Sequence, residues 1–152
     1  MDENDSEESG INIISPLKGK VLKNSDSYIS KENIVLIYPD INTVFSPVDG
    51  WIEEIYKTKH AIFIRSKMGF GVSIHIGVDT FDSKESFTAF VEKGDYVSRG
   101  EAILEFDGKR LKEQGYDLTT AVEVVDYDNK WKIGMCEDYA TENRCLIKLL
   151  KK

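Results

Sequence analysis

Apolar residues along this chain gather in short runs rich in β-branched and aromatic side chains, as at 34–38, 51–52 and 62–64. Turn-forming clusters interrupt them at Pro39-Asp40, Pro47-Val48-Asp49-Gly50, Lys93-Gly94-Asp95 and Arg99-Gly100. Closely spaced strands separated by turn chemistry predict an all-β sandwich or barrel rather than β-α-β units. Alternation is clearest where Val72, Ile74, Ile76 and Val78 fall on one side and Ser73, His75, Gly77 and Asp79 on the other. One short helix is expected over residues 108–114, ended by Gly115. Two further strands, at 131–135 and 145–149, would complete the structure. Ser15-Pro16-Leu17-Lys18-Gly19 and Ser46-Pro47-Val48-Asp49-Gly50 share a Ser-Pro-apolar-x-Gly pattern, consistent with two similar strand-turn units about a pseudo-twofold axis.

The chain's two histidines, His60 and His75, stand on either side of one short turn. Residues 58–65 and 70–79 read as strands joined by Ser66-Lys67-Met68-Gly69, a hairpin connection of the four-residue kind. If Arg65 pairs with Phe70, the imidazoles become direct cross-strand neighbours with Cβ atoms about 4.5–5.5 Å apart. A slip of one residue would break that facing.

Charge and composition narrow the classes. The chain has 152 residues, the length of one domain with a core that needs no disulfide or structural metal. Its net charge of -7 and lack of a basic cluster argue against nucleic acid and anionic lipid as partners. There is no apolar run of membrane-spanning length and no basic-then-apolar leader, so the expected location is cytoplasmic. Residues 1–10 are almost entirely acidic and polar and read as a disordered tail, with the folded domain spanning 11–152. The initial Met1 suggests a free-standing protein. Cys136 and Cys145 form no CxxC motif, and two reduced thiols are expected.

Two facing histidines suit three tasks. One ring can attack a phosphoryl group and carry it covalently while the other donates a hydrogen bond to the phosphoryl oxygens, with the Thr58 hydroxyl orienting the second ring. Both can bind zinc, for which Asp79 is the evident third ligand. Or the pair is a cross-strand contact on a solvated face.

The segment Thr58-Lys59-His60-Ala61, followed by Val72-Ser73-Ile74-His75-Ile76-Gly77-Val78-Asp79-Thr80, resembles the active-site hairpin of the glucose-type enzyme IIA of the bacterial sugar phosphotransferase system. The similarity extends to the two Ser-Pro turns, to Val91-Glu92-Lys93-Gly94-Asp95-Tyr96-Val97 and to Gly100-Glu101-Ala102-Ile103-Leu104-Glu105-Phe106-Asp107. It implies a compact antiparallel β-sandwich or barrel of duplicated hybrid-motif type. It further implies that His75 is phosphorylated on Nε2 by the phosphohistidine carrier HPr and hands the group to the IIB domain of a sugar permease. His60 would then hold the phosphoryl oxygens and Thr58 would fix the tautomer of His60, without cofactor or metal. A Gly77 carbonyl accepting Nδ1–H of His75 would leave Nε2 free, and Asp79 would serve as a docking charge for a basic partner.

The chain also departs from that family. It is shorter between Gly19 and Pro47, where Asn24-Ser25-Asp26-Ser27-Tyr28-Ile29-Ser30-Lys31 lacks the Phe- and Gly-containing loop that rims the partner-binding face. Ser73 replaces a commonly bulky apolar residue. The acidic tail is unlike the basic amphipathic segment with which some relatives touch membranes, so no membrane anchoring is expected. Three other readings remain. A regulatory protein could keep the hairpin and bind a partner without passing phosphate on, and zinc could be shared between His60, His75 and a partner's carboxylate. A biotinyl- or lipoyl-carrier domain, modified at Lys67, would leave the histidines without a role.

Overall fold

A computed structural model describes residues 10–22, 33–80, 84–135, 139–140 and 144–151. Among these, the strands are Ile11–Ile14 (β1), Gly19–Leu22 (β2), Ile34–Pro39 (β3), Thr43–Phe45 (β4), Gly50–Ile55 (β5), Ala61–Ser66 (β6) and Gly71–His75 (β7). They continue with Phe87–Ala89 (β8), Tyr96–Val97 (β9), Ala102–Phe106 (β10), Thr120–Val125 (β11), Trp131–Met135 (β12), Tyr139–Ala140 (β13) and Cys145–Lys151 (β14). The helix α1 spans Gly108–Glu113; Asp107 caps its start and Gln114 its end, so it stops one residue earlier than expected.

All strand pairs are antiparallel. The eight-stranded sheet runs β13-β2-β3-β11-β7-β6-β5-β9, and two three-stranded sheets run β1-β14-β12 and β4-β10-β8. The sheets stay open, which settles the sandwich-or-barrel alternative against a closed barrel. The large sheet ends at β13 and β9, each two residues long. Its inner face is apolar, with Val21, Ile37, Val122, Val124, Val72, Ile74, Ile62, Ile64 and Ile52 all buried.

The repeated Ser-Pro turns are structural counterparts. Ile14 N–H donates to the Pro47 carbonyl (3.2 Å) and Phe45 N–H to the Pro16 carbonyl (2.7 Å), so each turn holds the strand before the other. The Ser15 and Ser46 hydroxyls, both buried, donate to the carbonyls of Leu17 and Val48. Gly19 pairs with Pro39 as Gly50 pairs with Ser66. A Cβ at either glycine would lie 2.2 Å from the Tyr38 carbonyl oxygen or 2.1 Å from that of Arg65. Extending the correspondence through β3–β11 and β6–β7 makes Val122 equivalent to Ile74, and these two face each other. The pseudo-twofold axis therefore passes through the middle of the large sheet.

The β6–β7 hairpin is one residue out of the expected register. Ser66 joins the strand, its N–H bonded to the Phe70 carbonyl at 2.8 Å, and Gly69 at φ +107° closes a three-residue connection. A left-handed residue in third place is what such a loop requires. Arg65 therefore pairs with Gly71, and His75 faces Ala61 rather than His60. Alternation also ends early: β7 stops at His75, Gly77 and Asp79 take φ of +78° and +58°, and Val78 turns out to 43% exposure instead of pointing inward. Cys145 is disulfide-bonded, which corrects the expectation of a reduced thiol there. Neither spacing along the chain nor compartment decides whether sulfurs meet in space. Cys136, residues 1–9 of the acidic tail and the Asn24 to Lys31 segment lie outside the described residues.

Candidate functional site

The two histidines meet despite the changed register, and the route by which they do so makes them unequal. Residues 56–59 form a turn in which Lys59 N–H donates to the Tyr56 carbonyl (2.7 Å), with Lys59 in the left-handed region at φ +63°. His60 follows directly, and its carbonyl accepts from Ile76 N–H at 2.8 Å. By alternation it belongs to the inner face with Ile62 and Ile64, and it is only 5% exposed. His75, the last residue of β7, shares the outer face with Ser73 and is half-buried. At the end of the sheet the rings touch edge to face, with centroids 4.9 Å apart and planes at 89°.

Aromatic walls surround His60. The Tyr56 ring lies 5.5 Å away and the Phe87 ring 6.4 Å, both edge-on, while the Thr58 hydroxyl hydrogen-bonds to His60 Nδ1. Burial lowers the pKa of His60, and the neighbouring His75 lowers it further. The ring is thereby held neutral near pH 7, with one nitrogen tied down.

Beyond His75, Gly77 is buried, and a Cβ there would lie 2.4 Å from Thr80 Cγ2. The Thr80 hydroxyl donates to the Ile76 carbonyl, and Val78 N–H donates to the Asp117 carbonyl at 2.9 Å. This pinned left-handed turn carries the chain away from β7, and the Gly77 carbonyl makes no hydrogen bond to the His75 ring among the described residues, contrary to expectation. Asp79 is exposed on the same turn. No three His, Cys, Asp or Glu side chains among the described residues gather closely enough to hold a metal, so Asp79 does not complete a zinc site. Thr58, His60 and His75 are thus brought together, whereas Gly77 shapes the turn and Asp79 lies at its rim. Tyr56 and Phe87, which wall His60, and Asp117, which holds the turn after His75, had no local sequence signal.

Residues 11–130 match the family model of the phosphoenolpyruvate-dependent sugar phosphotransferase system, EIIA 1. The chain is 30% identical over 146 residues to the glucose-specific EIIA component of the phosphotransferase system from Oceanobacillus iheyensis, covering 90% of this chain and 88% of that protein. It is 36% identical over 126 residues to the beta-glucoside-specific EIIBCA component of Dickeya chrysanthemi, covering 77% of this chain but only 20% of that much longer protein. The same 20% share holds for the corresponding EIIBCA component of Bacillus subtilis. Among solved structures, glucose permease IIA from Mycoplasma capricolum superposes with a TM-score of 0.79 over 90% of this chain and 94% of that one, at 21% identity. That likeness supports the same fold. With most of its length matched by the family model and by a full-length relative, the chain belongs to the EIIA 1 family of the phosphoenolpyruvate-dependent sugar phosphotransferase system.

Proposed function

We propose that this protein is a phosphocarrier in which His75 accepts a phosphoryl group from phospho-HPr and passes it to the IIB domain of a sugar permease, in the cytoplasm. The observation that carries the assignment is the inequality of the two rings. His75 is accessible on the outer face, whereas His60 is buried, walled by aromatics and tied through Nδ1 to Thr58.

His75 Nε2 attacks phosphorus in line with the donor's N–P bond, which breaks as the new one forms; the departing donor imidazole keeps its electron pair and the phosphoryl group moves with no net oxidation. Transfer between two nitrogens through a loose transition state demands alignment and stabilisation of the equatorial oxygens more than a strong base. A Thr58 hydroxyl donating to His60 Nδ1 leaves the neutral ring's proton on Nε2, the tautomer that can donate to a phosphoryl oxygen. Lowered basicity keeps that ring uncharged, so it stabilises the phosphoryl group without trapping it as a salt.

Both partners must reach the same nitrogen in turn, which favours an open face over a pocket. The cavity of about 260 Å³ at the far end of the hairpin, beside Met68, Phe70 and Trp131, is not lined by either histidine. Exposed Val78 and Asp79 supply an apolar and an acidic contact beside His75, and the net charge of -7 suits basic partners. The test is intact mass at alkaline pH after incubation with phosphoenolpyruvate, enzyme I and HPr. One acid-labile phosphoryl adduct that is absent in His75→Gln is expected; no adduct on the wild-type chain, with the donors active on a control, would overturn the assignment.

A further inference from the structure

The middle of the outer face of the large sheet holds a carboxylate that the transfer chemistry does not use. β11 lies between β3 and β7, and Glu123 stands directly opposite Ser73, two residues from His75 on the same face. His75 itself faces Ala121, which makes Glu123 its diagonal neighbour, with Cβ atoms on the order of 7–8 Å apart. Around them the outward positions of β3, β6 and β11 are largely apolar: Leu36, Ala61, Phe63, Ala121 and Val125, each buried or half-buried.

Glu123 is half-buried there, and the contact it receives is from a neutral group, Asn33 Nδ2 at 3.3 Å, which also donates to the Val124 carbonyl at 3.0 Å. Among the described residues it forms no ion pair, and nearby Arg65 is engaged by Glu53 and Asp126. A partly desolvated carboxylate with a single neutral donor is an expense to the fold that an apolar residue at the centre of the face would avoid.

The pseudo-twofold axis gives this site a definite place. Glu123 corresponds to His75 and Asn33 to His60, down to the backbone: Val124 N–H donates to the Asn33 carbonyl at 2.9 Å as Ile76 N–H does to the His60 carbonyl at 2.8 Å. His75 and Glu123 therefore sit on one face at related positions about one centre, and a partner seated over His75 also covers Glu123.

We propose that Glu123, steadied by Asn33 and faced by the Ser73 hydroxyl, is a specificity-determining residue of the phosphotransfer face, selecting partners that place an arginine beside the reacting phosphoryl group. This rests on the phosphocarrier reading. A guanidinium matches the site because its planar fork can bond a carboxylate with one edge while its other donors reach a hydroxyl and a phosphoryl oxygen. A partner presenting an apolar side chain at that point would strip water from Glu123 without compensation and is rejected.

The experiment measures transfer from phospho-HPr of the same organism to the full chain and to Glu123→Gln at low and high salt, with thermal melting of both. Glutamine keeps the shape and can still accept from Asn33, so a melting temperature equal to or above wild type is expected. The apparent KM for phospho-HPr should rise about tenfold at low salt with kcat nearly unchanged, and the gap should narrow at about 1 M salt, where the screening length is about 3 Å. Glu123→Asp should recover part of the loss. Equal KM for wild type and Glu123→Gln, or a loss that tracks a lowered melting temperature and ignores salt, would overturn the proposal while leaving His75 as carrier. Absence of phosphoryl uptake by the wild-type chain would overturn both.

Discussion

Gly77→Ala offers the sharpest quantitative test of the turn that presents His75. At φ +78° an L side chain meets the following carbonyl, which costs about 1–2 kcal/mol. Here the added Cβ would also lie 2.4 Å from Thr80 Cγ2 and 3.1 Å from the Asp117 carbonyl oxygen. Thr80 is fully buried and its hydroxyl is engaged by Ile76, so the methyl group cannot rotate away without breaking that bond. Overpacking of this kind adds about 1–3 kcal/mol, for a total loss of about 2–5 kcal/mol. Gly115→Ala isolates the backbone contribution, because its φ of +89° is similar and nothing lies within 4 Å of the added atom; it should lose only about 1–2 kcal/mol. Thr80→Ser removes the obstructing methyl and keeps the hydroxyl, so the Gly77→Ala and Thr80→Ser pair should show favourable coupling of about 1–3 kcal/mol. Urea midpoints of wild type, the three single variants and the double variant measure all of this. Equal losses for Gly77→Ala and Gly115→Ala, or additive losses in the double variant, would refute the clash.

Two further outcomes follow from the geometry. Because the pKa of His60 is lowered in the fold, the unfolded chain binds the extra proton first; the stabilisation is complete above about pH 6.5 and is lost as pH falls through 6.5 toward the folded value. The stability difference between wild type and His60→Gln should therefore shift against the wild type between pH 7.5 and 5.5, and parallel pH profiles in urea titrations would contradict it. Gly19→Ala and Gly50→Ala, whose added atoms would strike backbone carbonyls at 2.2 and 2.1 Å, should destabilise the protein by similar amounts of several kcal/mol; a benign effect at either would argue against their equivalence.

Much of the fold was legible because its signals are local. The β-branched runs, the helix ending before Gly115 and the two Ser-Pro turns each carry their own chemistry, and the turns proved to be related by the symmetry their echo suggested. The hairpin register was not legible, since Ser66 could end the loop or begin the pairing, and only the left-handed geometry at Gly69 decides. The same holds for Val78, which alternation would bury but which two left-handed neighbours turn outward. His60 and His75 were visible as a pair, and the resemblance implied different roles for them, yet the difference in their burial was not legible. It comes from one ring following the inner face, from Tyr56 and Phe87 closing over it, and from a strand end that lets rings on opposite faces touch. Glu123 was silent in the sequence because its neighbour Ser73 is distant along the chain and adjacent only through β7–β11 pairing.

Two adjacent histidines divide one transfer between them. Rapid-quench measurement of both half-reactions, uptake from phospho-HPr and discharge to a IIB domain, tests it most directly in His75→Gln and His60→Gln. No uptake by His75→Gln is expected, and uptake of one phosphoryl group by His60→Gln should be followed by discharge slowed about 10²–10³-fold, the usual cost of removing one positioned donor to a transferring oxyanion. Uptake by His75→Gln, or equal loss of both half-reactions in the two variants, would contradict it.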